Sequence, residues 1–316
     1  MMKTSIKFSK KQFNNCLWIF VVITSSLSFS SVKYSNFNNP STVGKEVRLK
    51  AEFKFRVRGH INSIMLKMMI PVTKKDKQTV NNLTFPIQPD SIYTREDNTY
   101  AVFRFHNVTE SFKLVITGNL TIYNIIKDKN EDTVVNFSRY LKPEKFIECK
   151  DRAIVASSVQ LKQRTDIETA TRTYEFVDSS LKYKKKESIG AAEVLESGEG
   201  KCTDFSDLFV ALLRANRIPA KSVCGIVVDT QDANPLHAWT EVYLRKQGWV
   251  RFDPTFRCPV TQIGKNYSMA IQNRYIDLAD GRNEKELQWH PVHFEYKADT
   301  NEGSVKLRGG FDAYSW

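Results

Sequence analysis

Cysteine and histidine are scarce in this sequence, five of each in 316 residues, and their spacing excludes several classes of protein. Cys16 falls in the first thirty residues, which leaves Cys149, Cys202, Cys224 and Cys258 for the body of the chain. Four cysteines spread over so long a chain are not the framework of a disulfide-stapled domain. If one of them is a working thiol, at most one bridge can form. Cys224–Cys258 is the expected pair, because both lie just beyond segments expected to be neighbours. No Cys-x2–4-Cys or His-x3–5-His spacing joins Cys202, Cys224, Cys258 and His237, so no metal site is expected.

A second long apolar run is missing as well. Cys16–Ile23 is shorter than the roughly 20 apolar residues of a membrane span, and no other segment could cross a bilayer. The run follows a lysine-bearing start (Lys3, Lys7, Lys10, Lys11) and precedes the small residues Ser28 and Ser30. That is the layout of a secretory signal peptide over 1–30. An uncleaved membrane anchor is the alternative; Asn14-Asn15 ahead of Cys16 argue against lipidation. A secreted or periplasmic mature chain, with no membrane span, is expected. No nucleic-acid-binding signature accompanies the net charge of +12. Four of these charges leave with the leader and the rest are dispersed, which is weak ground for assigning a partner. The Lys182–Lys186 cluster reads most simply as a solvated helix end or loop.

What remains has the 41% hydrophobic and 26% charged content of an ordinary globular protein. After a polar, turn-rich lead-in over 31–44, residues 45–145 alternate apolar and polar positions, as in Val47-Arg-Leu-Lys-Ala-Glu-Phe-Lys-Phe-Arg-Val57. Short runs of this kind, punctuated by Asn, Asp, Pro and Gly, predict an all-β, sandwich-like domain. His60 and His106 are isolated there, with no ligand-spaced neighbours, and nothing in this half carries chemistry. A supporting or substrate-orienting role is expected of it.

Beyond about 150 the pattern turns helical. Helices are predicted over 153–160, 166–181 and 188–195, and again from Cys202, ending before Pro219. Strands are predicted over 220–228, 237–244 and 248–253. Helices followed by an antiparallel sheet make an α+β pattern. Residues 150–316 are expected to form this second domain, with its core motifs at 190–260. Further on, Ile263–Leu278 is expected as a helix or loop, and His293–Tyr296 and Ser304–Leu307 as strands that finish the sheet.

Three side chains stand out. Phe205, Leu208, Phe209, Leu212 and Leu213 form one buried helical face, and Cys202 opens that helix. Unpaired N–H groups and the positive end of the helix dipole favour a thiolate there, although a small core cysteine is the plain alternative. His237, Trp239, Glu241 and Tyr243 share one strand face; Trp249, Arg251 and Asp253 share another. Arg245-Lys-Gln-Gly248 is a short polar connection, so the two strands form a hairpin that brings Asp253 within a residue or two of opposite His237. With the helix start packed across this sheet, Cys202, His237 and Asp253 become thiol, base and orienting carboxylate.

These residues also carry a resemblance. Gly200-Lys-Cys202-Thr-Asp204, Leu212-Leu-Arg-Ala-Asn-Arg-Ile-Pro-Ala220, Gly225, His237-Ala-Trp-Thr-Glu-Val-Tyr243 and Gly248-Trp-Val-Arg-Phe-Asp-Pro-Thr255 resemble the transglutaminase-like superfamily, in the family's order and approximate spacing. The resemblance implies a papain-like α+β core of helices packed on an antiparallel sheet, with Cys202, His237 and Asp253 as the triad and no cofactor. Many bacterial members place a β-domain before the core, as 45–145 would here. It further implies an exported cysteine-dependent enzyme that forms a thioester with an amide or peptide carbonyl of a protein or peptide substrate. Hydrolysis, as peptidase or amidase, is expected over crosslinking. The alternative is a catalytically inactive envelope-binding or structural module, since the family includes such members.

Overall fold

The structure, a computed structural model, describes residues 44–123, 137–185, 187–231, 235–245, 247–255, 274–299 and 303–315. The segment expected to be a signal peptide, and Cys258 with its expected bridge to Cys224, lie outside the described residues.

Period-two alternation builds the first half. In β1 (Gly44–Arg58), Val47, Leu49, Ala51, Phe53 and Phe55 are buried while the residues between them are less so. β2 (Ile61–Met69), β3 (Gln78–Thr84), β4 (Ser91–Arg95), β5 (Asn98–Val108) and β6 (Phe112–Tyr123) follow. They are joined by two strands from the far end of the chain, β13 (Val292–Ala298) and β14 (Ser304–Ser315). The result is two antiparallel sheets in the orders β14-β1-β6-β3 and β13-β2-β5-β4, sharing one apolar core.

The middle of the chain forms the α+β core. α1 (Arg152–Leu161) starts where Asp151 accepts from the N–H groups of Ala153 and Ile154, and α2 (Asp166–Ser180) starts at a Thr165–Glu168 capping box. β7 (Lys182–Tyr183), α3 (Ala191–Ser197) and β8 (Glu199–Gly200) lead into α4 (Cys202–Ala215). β9 (Ala220–Val227), β10 (Leu236–Leu244), β11 (Gly248–Phe252) and β12 (Tyr275–Asp280) make an antiparallel sheet in the order β11-β10-β9-β12. On α4, Leu208, Phe209, Leu212 and Leu213 are wholly buried against the other helices and Ala220, Val242 and Phe252 of the sheet. At roughly 1.5–3 kcal/mol for each large apolar side chain, this face fixes the helix on the sheet. On the same sheet face, Cys224, Ile226 and Ala238 instead join the sandwich core.

Two expectations need correction. The strands at 293–296 and 304–307 exist but do not finish the sheet of the α+β core. β13 pairs with β2 and β14 with β1, through ladders that start at Val292↔Met68 and end at Ser304↔Arg58. Their apolar residues complete the sandwich, so the chain leaves the first half and returns to it. Within Ile263–Leu278 the described part is strand: Tyr275–Asp280 pairs with β9 and is buried on both faces, which erases the alternation that identifies a strand. Two buried amides then tie this edge strand to the sandwich. Gln78 accepts from the Asp277 N–H (2.7 Å) and donates to the Asp277 carbonyl (3.0 Å); Asn98 does the same with Asp280 (2.8 and 3.2 Å). Among the described residues no helix is long and apolar enough to cross a membrane.

Candidate active site

The site is built where α4 begins and the sheet ends. Lys201 caps the helix; its N–H donates to the buried carboxylate of Asp204 (2.9 Å), which folds back over the entry turn. A side chain on Gly200 would meet the Asp204 Cβ at 2.6 Å, so this approach requires glycine. Cys202 is thereby placed on the first turn, half-buried at the margin of the sandwich core.

His237 lies at the start of β10 opposite Gly225 of β9. A Cβ on Gly225 would run into the Ile276 carbonyl and the Trp239 ring, so the indole folds over the glycine beside the imidazole. The β10–β11 ladder runs from Leu244↔Gly248 to Thr240↔Phe252, and one step further places Asp253 opposite Trp239, two residues from His237. His237 Nε2 is 2.7 Å from Asp253 Oδ2. The imidazole also shares a hydrogen bond with Cys202. The three residues singled out in the sequence therefore come together, with Asp253 and Cys202 both partners of the imidazole.

Two further groups hold the carboxylate. The Tyr275 hydroxyl donates to Oδ2 (2.7 Å) and the Thr255 N–H donates to Oδ1 (3.0 Å), with Asp253 fully buried. The Tyr275 and Trp239 rings lie together beside His237, at centroid distances of 6.2 and 6.4 Å from it and 4.5 Å from each other. Tyr275 was invisible to motif reading, since it stands apart from the motif blocks on a strand without alternation. Trp239 sat in view, two residues from His237 on one strand face.

Burial alone would push the His237 imidazole down, but the Asp253 charge and hydrogen bond, reinforced by Cys202, outweigh it and raise the ring to about 10. Burial pushes the Cys149 thiol up, and that of Cys224 up to about 12. Only Cys202, of the three described cysteines, neighbours the imidazole and is not fully buried.

Behind the site, the same sheet face carries a buried ionic cluster. Arg251 pairs with Asp277 (2.7 Å), Lys77 with Glu241 (2.5 Å), Lys221 with Asp280 (2.6 Å) and Glu241 (3.2 Å), and Lys74 with Asp280 (2.9 Å). The Arg251 guanidinium lies 5.3 Å from the Trp239 ring centroid and 5.5 Å from that of Tyr275, so the cluster braces the two rings beside His237. On the opposite side, Arg282 pairs with Asp207 of α4 (3.0 Å) between the rings of Phe146 and Trp289, each 4.3 Å away. No group of three or more metal-ligating side chains occurs among the described residues.

Helices packed on an antiparallel sheet, with a thiol on a helix start facing a His–carboxylate pair on adjacent strands, define the papain-like class of α+β folds. Residues 153–254, about a third of the chain, match the model of the Transglutaminase-like superfamily, so the α+β core is transglutaminase-like. YebA of Bacillus subtilis (strain 168) is 37% identical over 75 residues, 20% of this chain and 10% of YebA. A protein-glutamine gamma-glutamyltransferase of Pseudomonas aeruginosa is 28% identical over 99 residues, 28% of this chain and 14% of that protein. The chain thus spans only a small part of the length of these curated relatives. Among solved structures, a Cytophaga hutchinsonii protein provisionally named a cysteine protease superposes with a TM-score of 0.59. It has 13% identity over 84% of this chain and 91% of its own, a likeness of fold.

Proposed function

We propose that this protein is an exported cysteine-dependent enzyme that acts on amide bonds of peptides or proteins, with Cys202 as nucleophile, His237 as acid–base and Asp253 as orienting carboxylate. The observation that carries this reading is the His237–Asp253 contact of 2.7 Å with Cys202 as the ring's other partner. The imidazole beside a thiol at a helix start takes the thiol proton as the sulfur attacks. The sulfur attacks the carbonyl carbon, and the Cys202 N–H, one of the first-turn donors without an intrahelical acceptor, faces the developing oxyanion. His237 gives its proton to the leaving amine as the C–N bond breaks, which leaves a thioester. Water then attacks with His237 taking its proton, releasing the acid and restoring the thiol.

Hydrolysis is the outcome we favour over transfer to an amine; the names of the Cytophaga and Pseudomonas relatives represent one fate each. Export rests on the leader pattern of residues 1–30. The β-sandwich, bound to the β12 edge through Gln78 and Asn98, serves in this reading as the support of the site.

Selective alkylation tests the proposal. Iodoacetamide at pH 6–7, below the ordinary thiol range of roughly 8.5, is expected to label Cys202 well ahead of Cys149 and Cys224, and His237→Ala to abolish the selectivity. Slow, indiscriminate labelling, or labelling indifferent to His237, would identify a non-catalytic binding module instead. Once a peptide substrate is in hand, products formed with and without added amine separate hydrolysis from crosslinking.

A further inference from the structure

The basic segment after α2 is fixed against the start of α4. β7 runs parallel to β8 with Lys182 opposite Glu199 and Tyr183 opposite Gly200. The ladder continues as Lys182 N–H to the Gly198 carbonyl (2.9 Å) and Lys184 N–H to the Gly200 carbonyl (2.8 Å). At the other end, the Ser188 hydroxyl meets that of Thr203, the residue after Cys202, at 2.8 Å. The described residues of this segment, 182–185 and 187–188, are therefore an arch anchored beside the helix entry, through Gly200 and Thr203, two residues and one residue from Cys202 in the chain.

Its outward side is charged. Lys182, Tyr183, Lys184 and Lys185 are exposed, and the Tyr183 ring stands 6.4 Å from that of Phe205 on the first turn of α4. Lys184 is engaged with Glu199 (2.8 Å), whereas Lys182 and Lys185 have no ion pair among the described residues. Glu187 is the single acid of the arch. Arg274, also exposed, directly precedes Tyr275, the residue that holds Asp253. A solvated charge run needs neither the ladder nor the Ser188–Thr203 clasp; a lip of a substrate groove needs both.

We propose that the arch of residues 182–185 and 187–188 is a substrate-binding lip that selects polypeptide segments bearing Asp or Glu beside the attacked carbonyl, with Lys182 and Lys185 as the specificity-determining residues. This rests on the proposed chemistry of Cys202, since a chain held with its carbonyl over that thiol carries its neighbouring side chains across the arch. At separations near the Debye length of about 10 Å, two such cations favour an acidic over an isosteric neutral segment by roughly three- to tenfold at low salt.

The test uses the full chain and two acetyl-tripeptide chloromethyl ketones, identical except that one carries Glu where the other carries Gln. The Glu probe is expected to label Cys202 three- to tenfold faster in dilute buffer, and the advantage to fade in 0.5 M salt (about 4 Å screening). The surface variant Lys182→Gln/Lys185→Gln should abolish the preference and leave the iodoacetamide rate on Cys202 unchanged. Lys182→Glu/Lys185→Glu should invert it in favour of a Lys-bearing probe. Equal labelling by both probes, or a Glu preference that survives the double substitution, would overturn the lip while selective iodoacetamide labelling leaves the catalytic reading standing. Loss of that selectivity in the parent chain would overturn both.

Discussion

Replacing Asp253 by Asn tests the proposed charge separation at its origin. The gap between about 10 and the ordinary His value of 6.5 corresponds to roughly 5 kcal/mol in favour of the charged ring, as an upper bound, at about 1.4 kcal/mol per pH unit. Asp253 is the principal source of that preference, because burial works against it. In Asp253→Asn the amide oxygen can still accept from the Thr255 N–H, but the amide nitrogen now donates to Nε2 and places the ring proton on the other nitrogen, the one the proposed mechanism assigns to Cys202. A ring in that tautomer cannot take the thiol proton. Iodoacetamide labelling of Cys202 at pH 6–7, followed by peptide mass spectrometry, should fall by about 10²- to 10⁴-fold and recover only as pH passes the ordinary thiol range. A raised imidazole also links to stability. The folded state binds the His237 proton more tightly, so its contribution is complete below about 6.5 and is lost as pH rises towards about 10. That decline should be absent from Asp253→Asn. A folded variant that alkylates at the parental rate at pH 6–7 would refute the reasoning.

Other perturbations follow from named contacts. Tyr275→Phe keeps the ring beside His237 but withdraws a donor from a buried carboxylate oxygen, so a fall in kcat of about tenfold with little change in KM is expected; unchanged turnover would remove Tyr275 from the positioning of Asp253. Gly225→Ala forces backbone or indole to move at the strand opposite His237, with an expected loss of about 3 kcal/mol or more in denaturant melts together with most labelling selectivity. Arg282→Ala leaves Asp207 buried without its cation, and a loss of about 3–5 kcal/mol in urea unfolding is expected. Burial raises Asp207 to about 7 in spite of Arg282, so the Asp207 carboxylate disfavours folding increasingly as pH climbs from about 4 towards 7. Asp207→Asn should flatten that slope.

The amino-acid sequence by itself determined the local elements and the pairing that assembles the site. α4, β10 and β11 follow from the periods 3.6 and 2, and a short glycine-bearing turn limits how far β10 and β11 can slip against each other. That was enough to bring His237 and Asp253 together, and a helix that buries one face on that sheet has few places to put its first residue, Cys202. Only the tertiary structure decided what surrounds them. Tyr275 lies 22 residues from Asp253, in a strand buried on both faces, where alternation carries no signal. Gln78 reaches Asp277 across 199 residues, and β14 returns to β1 across most of the chain. The ionic cluster behind Trp239 draws its members from four strands and the β2–β3 connection. Such partners are selected by burial and by the cost of leaving a buried charge or amide unsatisfied, which acts through space and leaves no period in the sequence.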